Sequence, residues 1–97
     1  MLKISDEDPK IIKFELALNR EGYAPNTRRV YKWQAKRFLV SMQNKKVKPQ
    51  HLDRAAEFYL RKIRRKESRT SFLQSCSVVD LYMKEVITRP LPEDMLR

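Results

Sequence analysis

Residues 18–42 read LNREGYAPNTRRVYKWQAKRFLVSM, and how this stretch divides decides the fold. Leu18, Asn19 and Arg20 end one helix, Gly22 supplies the left-handed residue that stops it, and Pro25 opens a second, longer helix. Ala24 stands where a capping Ser or Thr is expected, and its methyl accepts nothing from the first-turn amides. From Pro25 to about Gln43 the chain carries Arg28, Arg29, Lys32, Lys36 and Arg37 with no acid between them. Val30, Tyr31, Ala35, Phe38 and Met42 recur in the same segment at helical spacing. One side of this helix is therefore expected to bury while another presents positive charge.

Upstream, residues 1–8 form a polar lead-in that ends at Asp8, the N-cap expected for a helix whose first position is Pro9. Ile11, Phe14 and Leu18 share a stripe on it, with Ile12 and Leu16 alongside. Downstream, Asn44–Pro49 is a polar connection. Leu52 is expected to plug the core and Asp53 to cap a third helix over residues 54–66, with Ala56, Tyr59, Leu60 and Ile63 inward. Arg61, Lys62, Arg64, Arg65 and Lys66 crowd its end, where cations suit the helix dipole and are equally placed for a second contact to a phosphate backbone. Ser68 caps a fourth helix on which Phe72, Cys76, Val79, Met83 and Val86 form the apolar stripe, beside Tyr82. The run Thr88-Arg89-Pro90-Leu91-Pro92 stops it. The expected fold is all-α: four helices, short connections, two helical hairpins packed on each other. The domain spans residues 9–92, and residues 93–97 read as a linker.

At 97 residues the chain holds one core. The +10 charge is unevenly placed: residues 20–69 hold 16 of the 22 Lys and Arg but four of the 12 acids, a local net of +12. Such a block is the footprint of a phosphate-binding surface; a ribosomal or RNA-binding role would leave a similar mark, and an anionic membrane surface is a weaker third option. Cys76 is the single cysteine, which excludes an internal disulfide and favours a reducing compartment. No apolar run approaches the length of a membrane span. One Cys and one His build no metal site, and no acid–base pair or phosphate loop points to catalysis; no cofactor is expected. The expected setting is cytoplasmic and DNA-associated.

Arg28, Lys32 and Lys36 follow i, i+4, i+8 and share a face, with Arg29 beside it. A solvated charged face normally mixes signs, and this one does not. Thr27 at the helix start is placed to donate to a phosphate, or serves only as a helix-start residue. Arg69, Thr70, Ser71 and Gln74 crowd the first turns of helix 4, where Gln74 has the groups for an adenine contact and Thr70 and Ser71 are equally suited to capping. Tyr31, Phe38, Tyr59 and Tyr82 read as core, Trp33 as off the stripe, and Cys76 as a small buried hydrophobe.

The order Gly22-Tyr23-Ala24-Pro25-x-Thr27-x-x-x-Tyr31, then Phe38, resembles the opening of the core-binding (SAM-like, N-terminal) domain of tyrosine recombinases, the phage integrase family. Ala24 departs from the family's usual Ser. Ser68-x-Thr70 with the helix reaching Leu81-Tyr82 resembles that domain's last helix, and Val86-Ile87-x-x-Pro90-Leu91-Pro92 resembles the segment leading toward the catalytic domain. The resemblance spans roughly residues 10–92. It implies a four-helix orthogonal bundle that grips duplex DNA during site-specific recombination, as a monomer in isolation and beside other recombinase subunits on DNA. It also implies that catalysis belongs to a separate domain, whose Arg, Lys, His-x-x-Arg and tyrosine nucleophile this sequence does not supply. His51-Leu52-Asp53-Arg54 spells His-x-x-Arg but falls before helix 3, outside any such domain. The alternative expectation is a helical interaction module for an acidic protein or another recombinase subunit, anchored by Trp33, Leu39 and the Met95-Leu96-Arg97 tail.

Overall fold

The Asp8 carboxylate accepts the Lys10 amide at 2.9 Å, and Pro9 follows at the first helical position, so the first helix starts where its cap dictates. In the computed structural model, which describes residues 4–87, this helix (α1) is Pro9–Arg20. It ends in a 6→1 bond from the Tyr23 amide to the Leu18 carbonyl at 3.2 Å, with Gly22 at φ 78° between them. Helix α2 is Pro25–Asn44, and Ala24 gives it no side-chain cap. It closes with the same motif, Val47 amide to Met42 carbonyl at 3.2 Å, but Lys46 rather than glycine takes the left-handed position at φ 52°. A 3-10 turn, Pro49–His51, leads into α3, Leu52–Lys66. The Ser68 hydroxyl accepts the Ser71 amide at 3.2 Å and starts α4, Arg69–Tyr82, which continues into a π-helical turn, Met83–Ile87.

Among the described residues there are four α-helices and no strand. Helix α1 packs on α2, α3 on α4, and α2 on α4, while the π-turn returns to α1. The three principal extents, 28, 27 and 26 Å, are nearly equal, so the helices enclose one core. Phe38 is its hub. Its ring lies 5.1 Å from Tyr59 and 5.7 Å from Tyr82, both edge-on, and Tyr82 meets Phe14 at 6.1 Å. Such tilted contacts add about 0.5–1.5 kcal/mol each beyond the area buried. All four helices thus contribute to one aromatic cluster and its aliphatic surround. Tyr31 sits at the edge, half-buried, 5.2 Å from Tyr23 in the α1–α2 turn.

Several expectations need correction. Asp53 is not the cap of α3: the 3-10 turn, closed by the His51 amide on the Lys48 carbonyl at 2.9 Å, feeds directly into a helix that begins at Leu52. Asp53 instead lies in the first turn, where a carboxylate still suits the positive end of the helix. Ile12 and Leu16 are exposed, because α1 buries Ile11, Phe14, Ala17 and Leu18 on the opposite face. Val30 is exposed and Leu39, expected as a surface anchor, is buried. The buried stripe of α2 is centred on Phe38 and Ala35, and at about 100° per residue it reaches Leu39 and leaves Val30 outside. The stop at residues 88–92, the linker and the Met95-Leu96-Arg97 tail lie outside the described residues.

Candidate nucleic-acid interface

The turn at Gly22 lays α1 against the flank of α2 that carries Arg28, Lys32 and Lys36. That flank therefore meets acids. Lys32 Nζ lies 3.1 Å from Glu15 on α1 and 3.8 Å from Asp6, and Lys36 pairs with the same Asp6 carboxylate. The Arg28 guanidinium donates to the Asn19 side-chain oxygen at the end of α1. Three residues expected to stand free for phosphate are thus each engaged within the fold. Arg29 is exposed and makes no ion pair with a described acid, and Thr27 is half-buried at the helix start. With Glu15, Pro25, Arg28 and Lys32, Arg29 borders a depression of about 200 Å³.

The opposite flank of α2 faces α4 and the turn before it. Gln34, buried, donates to the Gln74 side-chain oxygen and accepts the Ser75 hydroxyl at 2.7 Å. This polar seam holds the two helices side by side. It also occupies the Gln74 oxygen, so a bidentate contact to adenine requires that bond to be shared or broken. Arg37 donates to the Tyr59 hydroxyl at 3.1 Å and pairs with Glu67 at 3.0 Å, with its guanidinium 5.1 Å from the Trp33 ring. Trp33 itself is 59 % exposed, as its place off the stripe requires. On α4, Arg69 and Thr70 are exposed, while Ser71 and Gln74 are half-buried. The seam therefore brings Gln74 against α2, with Thr70 one turn before it on the same helix face, whereas Arg28, Lys32 and Lys36 lie on the other flank.

Pairing each cation of residues 20–69 with its neighbours relocates the unbalanced charge. Arg20, Lys32, Lys36, Arg37 and Arg61 are bound to described acids. Eleven of the 16 make no ion pair among the described residues, and nine of those eleven fall between Lys45 and Arg69. They are Lys45, Lys46, Lys48 and Arg54 around the α2–α3 connection, and Lys62, Arg64, Arg65, Lys66 and Arg69 around the α3–α4 turn. Lys45, Lys62 and Lys66 border one groove of about 450 Å³ between α2 and α3, together with Arg37, Ser41 and Asn44. Arg64 also lies over the Phe72 ring, 5.9 Å away, which holds its charge at the start of α4.

No family model, curated protein or solved structure matches this chain. The arrangement is read from its own chemistry. Exposed guanidinium and ammonium groups with few acids nearby neutralise a polyanion, and the hydroxyls and amides beside them position it. Cys76 is buried among apolar side chains, which pushes its thiol up and leaves it without nucleophilic character at neutral pH. No helix among the described residues is long and apolar enough to cross a membrane.

Proposed function

We propose that this chain is a DNA-binding module of the kind found as the core-binding domain of tyrosine recombinases, a SAM-like orthogonal bundle that grips duplex DNA and does no chemistry itself. One observation carries the reading: nine cations between Lys45 and Arg69 have no ion pair among the described residues. Solubility does not require that concentration, and a charged surface built for water mixes its signs. The α2–α4 seam supports the same reading, since it sets Gln74 and the helix turn of Arg69 and Thr70 beside the long helix. Affinity then comes mainly from phosphate neutralisation, with Arg65, Lys66 and Arg69 as principal contacts and Arg29 and Thr27 as a second, flanking set. Lys32 and Lys36 join only by exchanging Asp6 and Glu15 for phosphate. That exchange is cheap, because partly exposed pairs are worth only about 0.2–1 kcal/mol. In the full reading the parent protein is a site-specific recombinase, and neighbouring subunits on DNA are its protein partners.

A second reading has its own support. Ile12 and Leu16 lie one turn apart on the outer face of α1, both exposed, where an interaction module would present apolar anchors.

Salt-dependent binding separates the two. If about five phosphates are neutralised, log affinity for an arbitrary duplex falls against log salt with a slope of about −4.5, roughly a 500-fold loss between about 50 and 200 mM salt. The single Trp33, exposed beneath Arg37, reports binding by its fluorescence. Joint replacement Arg65→Glu and Arg69→Glu should remove binding with the helical spectrum unchanged. Affinity insensitive to salt, or to that pair of changes, would sink the DNA reading in favour of a protein partner.

A further inference from the structure

The α2–α3 connection carries a second basic feature, at the other end of α3 from Arg65 and Arg69. Lys45, Lys46, Lys48, His51, Arg54 and Phe58 border an open depression of about 350 Å³, and no acid among the described residues lines it. Glu57, one residue from the ring, is turned to Arg61. Phe58 lies roughly opposite the buried stripe of α3 and is 59 % exposed. The core makes no use of that ring. Exposed apolar side chains scattered singly are common, but this one lines a depression whose charged side chains, Lys45, Lys46, Lys48 and Arg54, are all cationic.

We propose that this depression takes an unpaired strand of DNA, with one base stacked on the Phe58 ring and the flanking phosphates on Lys46, Lys48 and Arg54. The inference deepens the nucleic-acid reading above but uses a different surface. Arg54 and Lys66 are twelve residues apart on one helix, about 18 Å, so the two sets of cations are separable by mutation. A duplex spends both faces of each base on its neighbours and offers a side chain only edges and backbone, so it gains little from an aromatic ring. A strand with unpaired bases has π-faces to offer, and cations interleaved with an aromatic platform are what such a strand requires. The volume is on the scale of a small-ligand pocket, enough for a nucleotide rather than a helix. Lys46 adds a further sign. It holds an ammonium at a left-handed backbone position, φ 52°, where glycine would be unstrained.

The test compares two labelled probes, an oligothymidine of about ten nucleotides and a duplex of arbitrary sequence, on wild type and three variants of Phe58. The expected result is that Phe58→Ala and Phe58→Leu each weaken oligothymidine binding roughly tenfold, whereas Phe58→Tyr, which keeps the π-face, stays within about twofold. Duplex affinity should be unchanged in all three. Because Phe58 is outside the core, these variants keep the fold, and a circular dichroism melt checks that. Equal oligothymidine affinity in wild type and Phe58→Ala overturns the proposal, as does retention of binding by Phe58→Leu, which would mark a merely apolar contact. Failure of the duplex reading looks different: no duplex binding at low salt, with Phe58-dependent oligothymidine binding intact.

Discussion

Arg37 and Glu67 tie the middle of the long helix to the turn between α3 and α4, with the guanidinium 3.0 Å from one carboxylate oxygen and 3.5 Å from the other. The same guanidinium holds the Tyr59 hydroxyl, so one side chain braces the seam where both helical pairs meet. Both partners are about 30 % exposed, which weakens the pair relative to a buried one. Glu67→Ala should therefore cost about 1 kcal/mol after solvent screening. In a domain of this size that lowers the melting midpoint by about 4–8 °C. An unchanged midpoint would mean that Tyr59 and Trp33 alone hold Arg37.

The start of α2 offers a gain instead. Ala24 has the extended backbone of a cap residue, φ −63° and ψ 151°, but no side-chain acceptor for the first-turn amides. Ala24→Ser should stabilise the fold by about 1 kcal/mol, read as a higher urea midpoint with an unchanged slope. A lower midpoint would show that the turn from Gly22 leaves the hydroxyl no path to those amides.

The left-handed Lys46 makes the complementary case. Lys46→Gly should raise stability by about 1 kcal/mol, since a non-glycine residue pays roughly 1–2 kcal/mol for that backbone. Stability that fell on this change would show that the lysine side chain contributes more packing than its strained backbone costs.

Which features were legible in sequence follows from the reach of the forces behind them. Asp8 with Pro9, Gly22, and Ser68 act within three or four residues, and each begins or ends a helix where the sequence placed it. The stripes of α3 and α4 were legible for the same reason, as periodicity along one helix. The engagement of Lys32 and Lys36 was not, because Glu15 and Asp6 reach them only once α1 folds back across the turn. Gln34 was missed similarly: a polar residue in a helix reads as surface until Gln74 and Ser75, forty residues on, arrive to satisfy it. Lys46 gave no warning at all, since lysine has no preference for left-handed backbone. The basic face of α2 is legible in its sequence, but whether a cation is balanced depends on tertiary neighbours.

Alkaline pH should unfold the protein through Tyr82. Burial raises its hydroxyl pKa well above the ordinary tyrosine value, with the Asp8 carboxylate adding to the effect. Tyr59 is also raised, chiefly by burial. A raised folded-state pKa means stability is fully present below the unfolded value, near 10, and is lost as pH climbs from there toward the folded value. Above about pH 10 each such tyrosine removes up to about 1.4 kcal/mol per pH unit. Tyr82→Phe should show a shallower decline than wild type above pH 10. Parallel declines would place the alkaline lability elsewhere, in the lysines.

Asp6 decides how α2 takes part in binding. Its carboxylate bridges Lys36 and Lys32, the latter at 3.8 Å, and so sits where a phosphate oxygen would sit if a duplex lay along that flank. A phosphate must then displace it, at about 0.2–1 kcal/mol for partly exposed partners. Asp6→Asn removes the competing charge and should raise duplex affinity by up to about fivefold at low salt, with a slightly steeper salt dependence, because more counterions are released. Lys32→Glu with Lys36→Glu should act in the opposite direction. If Asp6→Asn leaves affinity unchanged while Arg65→Glu with Arg69→Glu abolishes it, the duplex rests on the end of α3 and the start of α4 alone. The acids of α1 and the lead-in then serve only to fasten α1 to α2.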